Sequence, residues 1–243
     1  MRGHCYAVAS GKGGVGKTTT VVNTAHELST RGYDVVVVDG DLAMTNLGRV
    51  LGIDHDPTLH DVLADEAPLS AAVDTSGDVA VVPGSDTIDS FRAADPSGLG
   101  TVVKRLRTAF DVVFVDTGAG VDHETMVACG VADEVVLVTT PHEMAVADTE
   151  KTREMVETVD GEVLGTVVTR SDATAARRVA DQLETDLLGA VPDAPETAGE
   201  EPVVDTAPGS AVAAAYDDIA GTVAGSLEAA VPDADEEVAV SDD

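Results

Sequence analysis

The chain has few basic residues. Its 243 residues include 14 Lys and Arg against 45 Asp and Glu, which gives a formal net charge of −31. Nucleic acids and anionic membranes are bound through clustered Lys and Arg. The basic pairs here, Arg105 with Arg107 and Arg177 with Arg178, are more typical of solvated helix faces. The composition therefore argues against DNA and against an anionic membrane as direct partners.

The chain has little cysteine and no long apolar run. The two cysteines, Cys5 and Cys129, form no C-x-x-C pattern, so an intrachain zinc or iron–sulfur site is not expected. We find neither a signal peptide nor an apolar run of transmembrane length. We therefore expect two buried free thiols in a cytoplasmic protein.

The acidic charge coexists with a hydrophobic content of 44%, which predicts a folded domain and not a disordered chain. In dilute buffer such a charge opposes compaction by self-repulsion. In molar salt the Debye length falls to about 3 Å, and the repulsion is screened. Sparse lysine with abundant Asp, Glu, Ala and Val thus indicates a protein from a high-salt cytoplasm; an ordinary acidic protein is the alternative.

A glycine-rich run near the N-terminus carries two of the four lysines. Residues 11–18 read GKGGVGKT and fit the phosphate-loop pattern G-x-x-x-x-G-K-[ST]. Lys17 would reach the β- and γ-phosphates, and the Thr18 hydroxyl would hold Mg²⁺. Lys12 is a second lysine that an ordinary phosphate loop does not need. The predicted nucleotide-binding residues of this loop are Lys12, Gly13, Gly14, Val15, Gly16, Lys17, Thr18 and Thr19.

Apolar β-branched runs alternate with helical stretches along the chain. Continuous apolar runs indicate strands covered on both faces. The alternation predicts an α/β fold, a single-domain, doubly wound, mostly parallel sheet flanked by helices. We expect this domain to cover residues 1–231, with a loop over 193–210 and an acidic, disordered tail over 232–243. The predicted strands are 5–9, 35–38, 79–82, 112–115, 135–138, 163–168 and 187–191, and the predicted helices are 17–31, 98–109, 122–131, 143–158, 173–184 and 211–230.

Carboxylates follow the second and fourth of these strands. Asp116 is the candidate Walker B residue, because a carboxylate beside a phosphate loop holds Mg²⁺ directly or through water. Asp39 would support Mg²⁺ through water, and Asp41 would orient the attacking water. Gly118 lies in a run whose glycines permit a switch that senses the γ-phosphate. The structural alternatives are a helix N-cap for Asp116 and turn formation for Asp39 and Asp41.

These motifs together resemble the MinD/ParA family of deviant Walker A P-loop ATPases, and MinD is the more similar branch. Residues 12–19 resemble the deviant Walker A motif, residues 39–42 resemble switch I, and residues 116–120 resemble switch II. Gly118 stands where MinD usually has proline. Similarity to the MinD-like pattern continues through residues 132–148, 188–192 and 202–216. The resemblance covers residues 1 to about 231.

The resemblance implies an ATPase that uses ATP and Mg²⁺ and acts as a slow, ATP-dependent homodimer. Lys12 of each subunit would reach the partner's phosphates, as an arginine finger does in trans. Asp41 would position the hydrolytic water, and Asp148 would receive Lys12 when the γ-phosphate is absent. Such a switch positions a cellular assembly together with an activator or cargo protein that the sequence does not identify.

Two departures from the family pattern affect these expectations. MinD usually ends in a basic amphipathic helix that binds membrane, whereas residues 233–237 here read DADEE, so direct membrane binding is not expected. Thr169 and Arg170 stand where relatives carry an adenine-reading asparagine. Base recognition would then use the backbone near Pro192 and Asp193.

Three other functions remain open from the sequence. A ParA-type partitioning ATPase would need a basic surface on the dimer. An iron–sulfur carrier of the same fold would need paired cysteines at a dimer axis, and Cys129 stands alone. A non-hydrolysing nucleotide-binding adaptor would not need Lys12, Lys17, Asp41 and Asp116 together.

Overall fold

A computed structural model describes residues 3–197, 199 and 201–230. Seven strands form one sheet in the order β3-β2-β4-β1-β5-β6-β7, and every neighbouring pair is parallel. The predicted doubly wound α/β fold is confirmed. The strands are β1 (His4–Ser10), β2 (Val35–Gly40), β3 (Ala80–Val82), β4 (Val112–Ala119), β5 (Glu134–Thr139), β6 (Val163–Thr169) and β7 (Leu187–Val191).

Helices join the strands and cover both faces of the sheet. The α-helices are α1 (Lys17–Thr30), α2 (Leu47–Leu51), α3 (Leu59–Leu63), α4 (Leu69–Ala72), α5 (Ile88–Ala93), α6 (Leu99–Leu106), α7 (His123–Val131), α8 (Glu143–Thr158), α9 (Ala173–Leu183), α10 (Val203–Thr206) and α11 (Ala211–Ala230). Short 3₁₀ turns form at Pro96–Gly98 and Pro195–Thr197.

The core lies on both sides of the sheet, because successive strand side chains point to opposite faces. Val35 and Val37 of β2 belong to the hydrophobic cluster that includes residues of α1 and α11, whereas Val36 and Val38 belong to the cluster that includes residues of α3 and α6. A strand buried on both sides needs apolar residues at every position. This requirement explains the unbroken valine run in β2.

Several boundaries differ from the predictions. Strands β2 and β4 continue through Gly40 and Ala119, so Asp39 and Asp116 lie inside strands and not after them. The stretch 193–210 is not a plain loop, since it contains a 3₁₀ turn and α10. The short helices α2 to α5 were not predicted, because four to six residues give too little periodicity to detect. The predicted acidic tail, residues 232–243, lies outside the described residues.

Within the part of the chain that the structure describes, no helix combines the length and the apolar character that crossing a membrane would require.

Parallel topology positions the candidate site. Strands β2, β4, β1 and β5 are consecutive in the sheet, so the segments that leave their carboxyl ends meet at one edge. Open parallel sheets bind ligands at this edge. The phosphate loop, residues 11–16, follows β1 at the centre of it.

Candidate functional site

The phosphate loop joins β1 to α1 and owes its path to its glycines. Gly14 and Gly16 have φ values of 75° and 99°, which disfavour any residue with a side chain. Gly11 is needed for a different reason, since an added Cβ would lie 2.0 Å from the carbonyl carbon of Asp148. The loop therefore packs directly against the backbone of α8.

Lys17, the first residue of α1, has its ammonium group inside this loop. Its Nζ donates a hydrogen bond of 3.0 Å to the Ser10 hydroxyl, which donates in turn to the Lys12 carbonyl at 3.0 Å. Burial lowers the pKa of Lys17, while the carboxylates of Asp116 and Asp41 oppose that change. A buried ammonium group with carboxylates nearby is poised for an anionic ligand such as a phosphate.

Thr18 links α1 to two other elements. Its hydroxyl lies 2.6 Å from Oδ2 of Asp116 on β4 and 3.0 Å from Oδ1 of Asn46. A hydroxyl and a carboxylate in contact are a donor set that Mg²⁺ uses in phosphate-loop proteins. Thr18 and Asp116 are thus brought together as the sequence predicts.

The buried carboxylates of Asp39 and Asp116 lie side by side. Asp39 on β2 pairs in register with Asp116 on β4, and the two residues are only 1% and 2% exposed. Burial raises the pKa of Asp39 to about 7, and the charge of Asp116 adds to the rise. Burial likewise raises the pKa of Asp116 to about 6, although the Thr18 hydrogen bond opposes this. The arrangement concentrates negative charge at one point.

One oxygen of each carboxylate lacks a partner. Oδ1 of Asp39 and Oδ1 of Asp116 are both buried and accept no hydrogen bond. Such orphaned carboxylate oxygens fit a divalent cation. Among the described residues, no three His, Cys, Asp or Glu side chains could hold a metal ion by themselves. Mg²⁺ does not need such a cage, since it takes one or two carboxylates together with nucleotide phosphates and water.

Asp41 and Gly118 approach each other from the two predicted switch segments. Oδ1 of Asp41 accepts a hydrogen bond of 3.0 Å from the Met44 amide, and Asp41 is half-buried. A Cβ added to Gly118 would lie 3.5 Å from the same oxygen. Gly118 is buried inside β4, and its neighbour Ala119 pairs with Ser10. The two predicted switch segments are therefore close together at Asp41 and Gly118.

Lys12 is exposed at the tip of the loop. Among the described residues, no hydrogen bond or ion pair is made by its ammonium group. Asp148 lies behind the loop on α8, where its carboxylate accepts from Lys151 Nζ at 3.0 Å. Lys12 is therefore available to another molecule, and the suggested pairing of Lys12 with Asp148 stays a prediction.

A cavity of about 200 Å³ adjoins the phosphate loop on the side away from Asp41. The Thr169 hydroxyl donates to the Val15 carbonyl at 2.6 Å, and Arg170 Nη2 donates to the Gly14 carbonyl at 2.6 Å. These two side chains brace the loop and also line the cavity. The predicted base-side residues Thr169, Arg170, Pro192 and Asp193 all line this cavity, together with Val15, Gly16 and Thr19.

Sequence reasoning missed the polar residues that connect these parts. Asn46 bonds to Thr18, while Asn23, fully buried on α1, donates to Glu201 Oε2 at 2.7 Å and accepts from the Val204 amide at 3.0 Å. Burial raises the pKa of Glu201, and the hydrogen bond from Asn23 opposes this rise. Asn23, a polar residue on an otherwise apolar helix face, was the one signal in the sequence that could have revealed these contacts to Glu201 and Val204.

Comparison with known proteins agrees with this geometry. The family model described as ParA, NUBPL iron-transfer P-loop NTPase, matches residues 2–224. An uncharacterised ATP-binding protein of Methanocaldococcus jannaschii is 33% identical over 229 residues, which cover 90% of this chain and 87% of that protein.

Two solved structures are similar over nearly their whole length. The cell division ATPase MinD of Pyrococcus furiosus has a TM-score of 0.85 and 36% identity, covering 92% of this chain and 99% of that one. The septum site-determining protein MinD of Pyrococcus horikoshii, solved with Mg-ADP, has a TM-score of 0.84 and 34% identity, covering 92% and 98%. Together with the phosphate loop, Thr18 and Asp116, these matches show that the chain belongs to the MinD/ParA family of P-loop NTPases.

Proposed function

We propose that this protein binds and hydrolyses ATP with Mg²⁺ and acts as an ATP-dependent homodimeric switch of the MinD type. One observation carries the proposal: the two lysines of the phosphate-loop motif, residues 11–18, have opposite environments. Lys17 is buried beside Ser10, whereas Lys12 is exposed and free of partners among the described residues. A single active site uses Lys17, which leaves Lys12 for the phosphates of a second subunit.

Thr18 and Asp116 would hold Mg²⁺, and Asp39 would support it through water. The orphaned oxygens and raised pKa values of Asp39 and Asp116 support this role. Bound Mg²⁺ neutralises charge on the β- and γ-phosphate oxygens. The backbone of residues 13–19 would cradle the phosphates, with Lys17 opposite the β- and γ-phosphates.

Asp41 would orient the water that attacks the γ-phosphate. Its carboxylate lies close to Lys17, whose charge opposes the rise that burial gives to the pKa of Asp41. Gly118 would sense the γ-phosphate through its backbone. Lys12 of the partner subunit would stabilise the charge that develops in the transition state.

The base of ATP would occupy the cavity beside Val15 and Thr19. Thr169, Arg170, Pro192 and Asp193 line its walls. An adenine ring stacks against apolar and backbone surfaces, and Val15, Val191 and Pro192 among the lining residues can offer them. Base selection would then depend on backbone groups near Pro192.

The exposed apolar side chains support a face for a second copy. Met44, Val121 and Met144 are 77%, 51% and 60% exposed, and they lie at the same sheet edge as Lys12. Exposed apolar side chains that form one patch would mark an interaction site. We propose a cytoplasmic dimer that positions a cellular assembly; the two similar proteins are named a cell division ATPase and a septum site-determining protein.

Iron transfer is the second candidate, because the description of the matching family model names it. Cys5 and Cys129 are both fully buried, and burial raises the pKa of each thiol to about 12. Ligands for iron must be accessible thiolates. The chain has no other cysteine, so its own residues favour the ATP switch.

Light scattering in molar KCl tests the proposal. Asp41→Ala should bind ATP without hydrolysing it, so its mass should double with Mg-ATP and not with Mg-ADP. Adding Lys12→Ala should abolish the doubling, whereas adding Lys104→Ala, an exposed lysine on α6, should leave it intact. A mass that is the same with Mg-ATP and with Mg-ADP would contradict the proposed switch.

A further inference from the structure

His60 joins one predicted switch segment to a loop at the end of β3. The residue lies on α3 and is fully buried. Its Nε2 is 3.0 Å from the carbonyl oxygen of Leu42, and its Nδ1 is 3.0 Å from the amide nitrogen of Ser85. Both ring nitrogens therefore have a backbone partner.

These partners determine the tautomer of the ring. The Ser85 amide can only donate, so Nδ1 must carry a lone pair. The Leu42 carbonyl can only accept, so Nε2 must carry the hydrogen. Burial lowers the pKa of His60, which keeps the ring neutral, while its hydrogen bond to Leu42 opposes that change. The neutral ring thus fits between one acceptor and one donor.

Leu42 follows Asp41 directly in what we call the switch segment, residues 41–46. Asp39 holds the far end of this segment, since its Oδ2 accepts from the amides of Asn46 and Leu47 at 3.1 Å each. Near Asp41, the Leu42 carbonyl is buried and has His60 as its side-chain partner. His60 is thus one of the anchors adjacent to Asp41, together with the Met44 amide, which bonds to Asp41 itself, and the Ala43 backbone, which bonds to the Glu124 carboxylate.

The loop that receives His60 is itself firmly placed. The Leu59 amide donates to the Pro83 carbonyl at 2.8 Å, and the Thr45 hydroxyl donates to the Ser85 carbonyl at 3.1 Å. A Cβ added to Gly84 would lie 2.2 Å from Thr45 Cγ2. The loop is packed between α3 and the switch segment, so it gives the ring a rigid base.

We propose that His60 is a positioning residue for hydrolysis, holding Asp41 through the Leu42 carbonyl so that it can orient the attacking water. The inference rests on the proposed ATPase function. Misplacement of a catalytic group by about 1 Å costs on the order of a hundredfold in rate. Loss of the Leu42 bond should therefore lower kcat and leave the binding of Mg-ATP unchanged.

Three substitutions at position 60 separate the hydrogen bond to Leu42 from the hydrogen bond to Ser85. His60→Gln keeps an N–H donor near the position of Nε2 and so keeps the Leu42 bond. His60→Asn keeps an oxygen acceptor near the position of Nδ1 and so keeps only the Ser85 bond. His60→Phe keeps neither. Circular dichroism and thermal unfolding report whether each variant folds, and the Asn and Gln pair carries the test if Phe does not.

Steady-state ATPase kinetics give the first readout. We expect kcat to fall about ten- to a hundredfold in His60→Asn and His60→Phe, with KM for Mg-ATP unchanged, and to stay near wild type in His60→Gln. A merely structural role would make activity follow the unfolding temperature in all three variants. That result, or a wild-type kcat in His60→Asn, would overturn the inference.

Hydrogen–deuterium exchange gives a second readout that needs no hydrolysis. In the nucleotide-free protein, a peptide covering residues 41–47 should exchange faster in His60→Asn and His60→Phe than in wild type and His60→Gln. Unchanged exchange in all variants would overturn the inference. If wild type binds ATP without hydrolysing it, the proposed function fails, while the exchange order still decides whether His60 holds the switch segment.

Discussion

Thr18 donates its hydroxyl hydrogen to Oδ2 of Asp116 across a distance of 2.6 Å, although 98 residues separate the two in the chain. The bond joins the first turn of α1 to β4 at the edge where the phosphate loop lies. It leaves Oδ1 of Asp116 without a partner. A cation bound here would meet both oxygen donors, which makes Asp116 the first residue to test.

Asp116→Asn should weaken nucleotide binding only when Mg²⁺ is present. The amide keeps the shape of the carboxyl group but removes the charge that holds the cation. We expect Mg-ATP affinity to fall about 10- to 100-fold and affinity in EDTA to change little. Calorimetric titration measures both. Asp89→Asn, the same change at an exposed position on α5, is the matched control, and equal losses in the two variants would contradict the assignment.

The raised pKa values of Asp39 and Asp116 should make Mg-ATP binding stronger as pH rises. An unfolded Asp has a pKa of about 3.9, so the folded protein, with values of about 7 and about 6, binds protons more tightly than the unfolded chain. These groups stabilise the nucleotide-free protein at low pH, and that contribution is lost as pH rises from about 4 to about 7. Mg²⁺ requires the ionised carboxylates, so its affinity moves in the opposite direction.

Thermal unfolding between about pH 5 and about pH 8, a range that includes both raised pKa values, checks both trends: the stability of the nucleotide-free protein and the affinity for Mg²⁺. The gain in unfolding temperature from Mg-ATP should increase with pH. Without nucleotide, Asp39→Asn should unfold at a temperature that depends less on pH than that of wild type. A variant with the wild-type pH dependence would show that Asp39 does not have the raised pKa.

Gly11→Ala should destabilise the protein, and Gly13→Ala should not. A Cβ at position 11 would lie 2.0 Å from the carbonyl carbon of Asp148, whereas one at position 13 has no atom within 4 Å. Overpacking against a backbone costs about 1–3 kcal/mol or more. Chemical denaturation without nucleotide measures the free energy of unfolding. Equal stability of the two variants would mean that the loop is not packed against α8 as described.

Salt should stabilise the fold by screening the repulsion among its negative charges. The net charge of −31 opposes compaction, and the Debye length falls from about 10 Å at 0.1 M to about 3 Å at 1 M salt. We expect the unfolding temperature to rise across this range in KCl and by the same amount in NaCl. A flat response would remove the physical basis for the predicted high-salt origin.

The two thiols should be inert in the native protein. Cys5 and Cys129 are fully buried, with pKa values raised to about 12. A thiol reagent should modify neither residue until guanidinium unfolds the chain, after which both should react. Rapid labelling of the native protein, or a visible absorbance after anaerobic incubation with iron and sulfide, would favour the iron-transfer alternative.

Local sequence predicted the fold well where the signal was long. Helices α8 and α11 have the predicted bounds, because their apolar periodicity extends over the whole element. The predicted ends of β2 and β4 were wrong, because the two strands still pair with each other at Asp39 and Asp116. Hydrogen bonding to a neighbouring strand extends an element past the point where its side chains stop being apolar.

The phosphate loop was determined by the sequence itself. Its glycines, Lys17 and Thr18 are consecutive, so their geometry depends on local backbone conformation and on the strand and helix beside them. The β-branched runs likewise determined a parallel sheet covered on both faces. Only the tertiary structure decided which distant polar groups complete the site. Asn46 meets Thr18, and His60 meets Leu42 and Ser85, because strand order and packing bring together segments that no spacing along the chain relates.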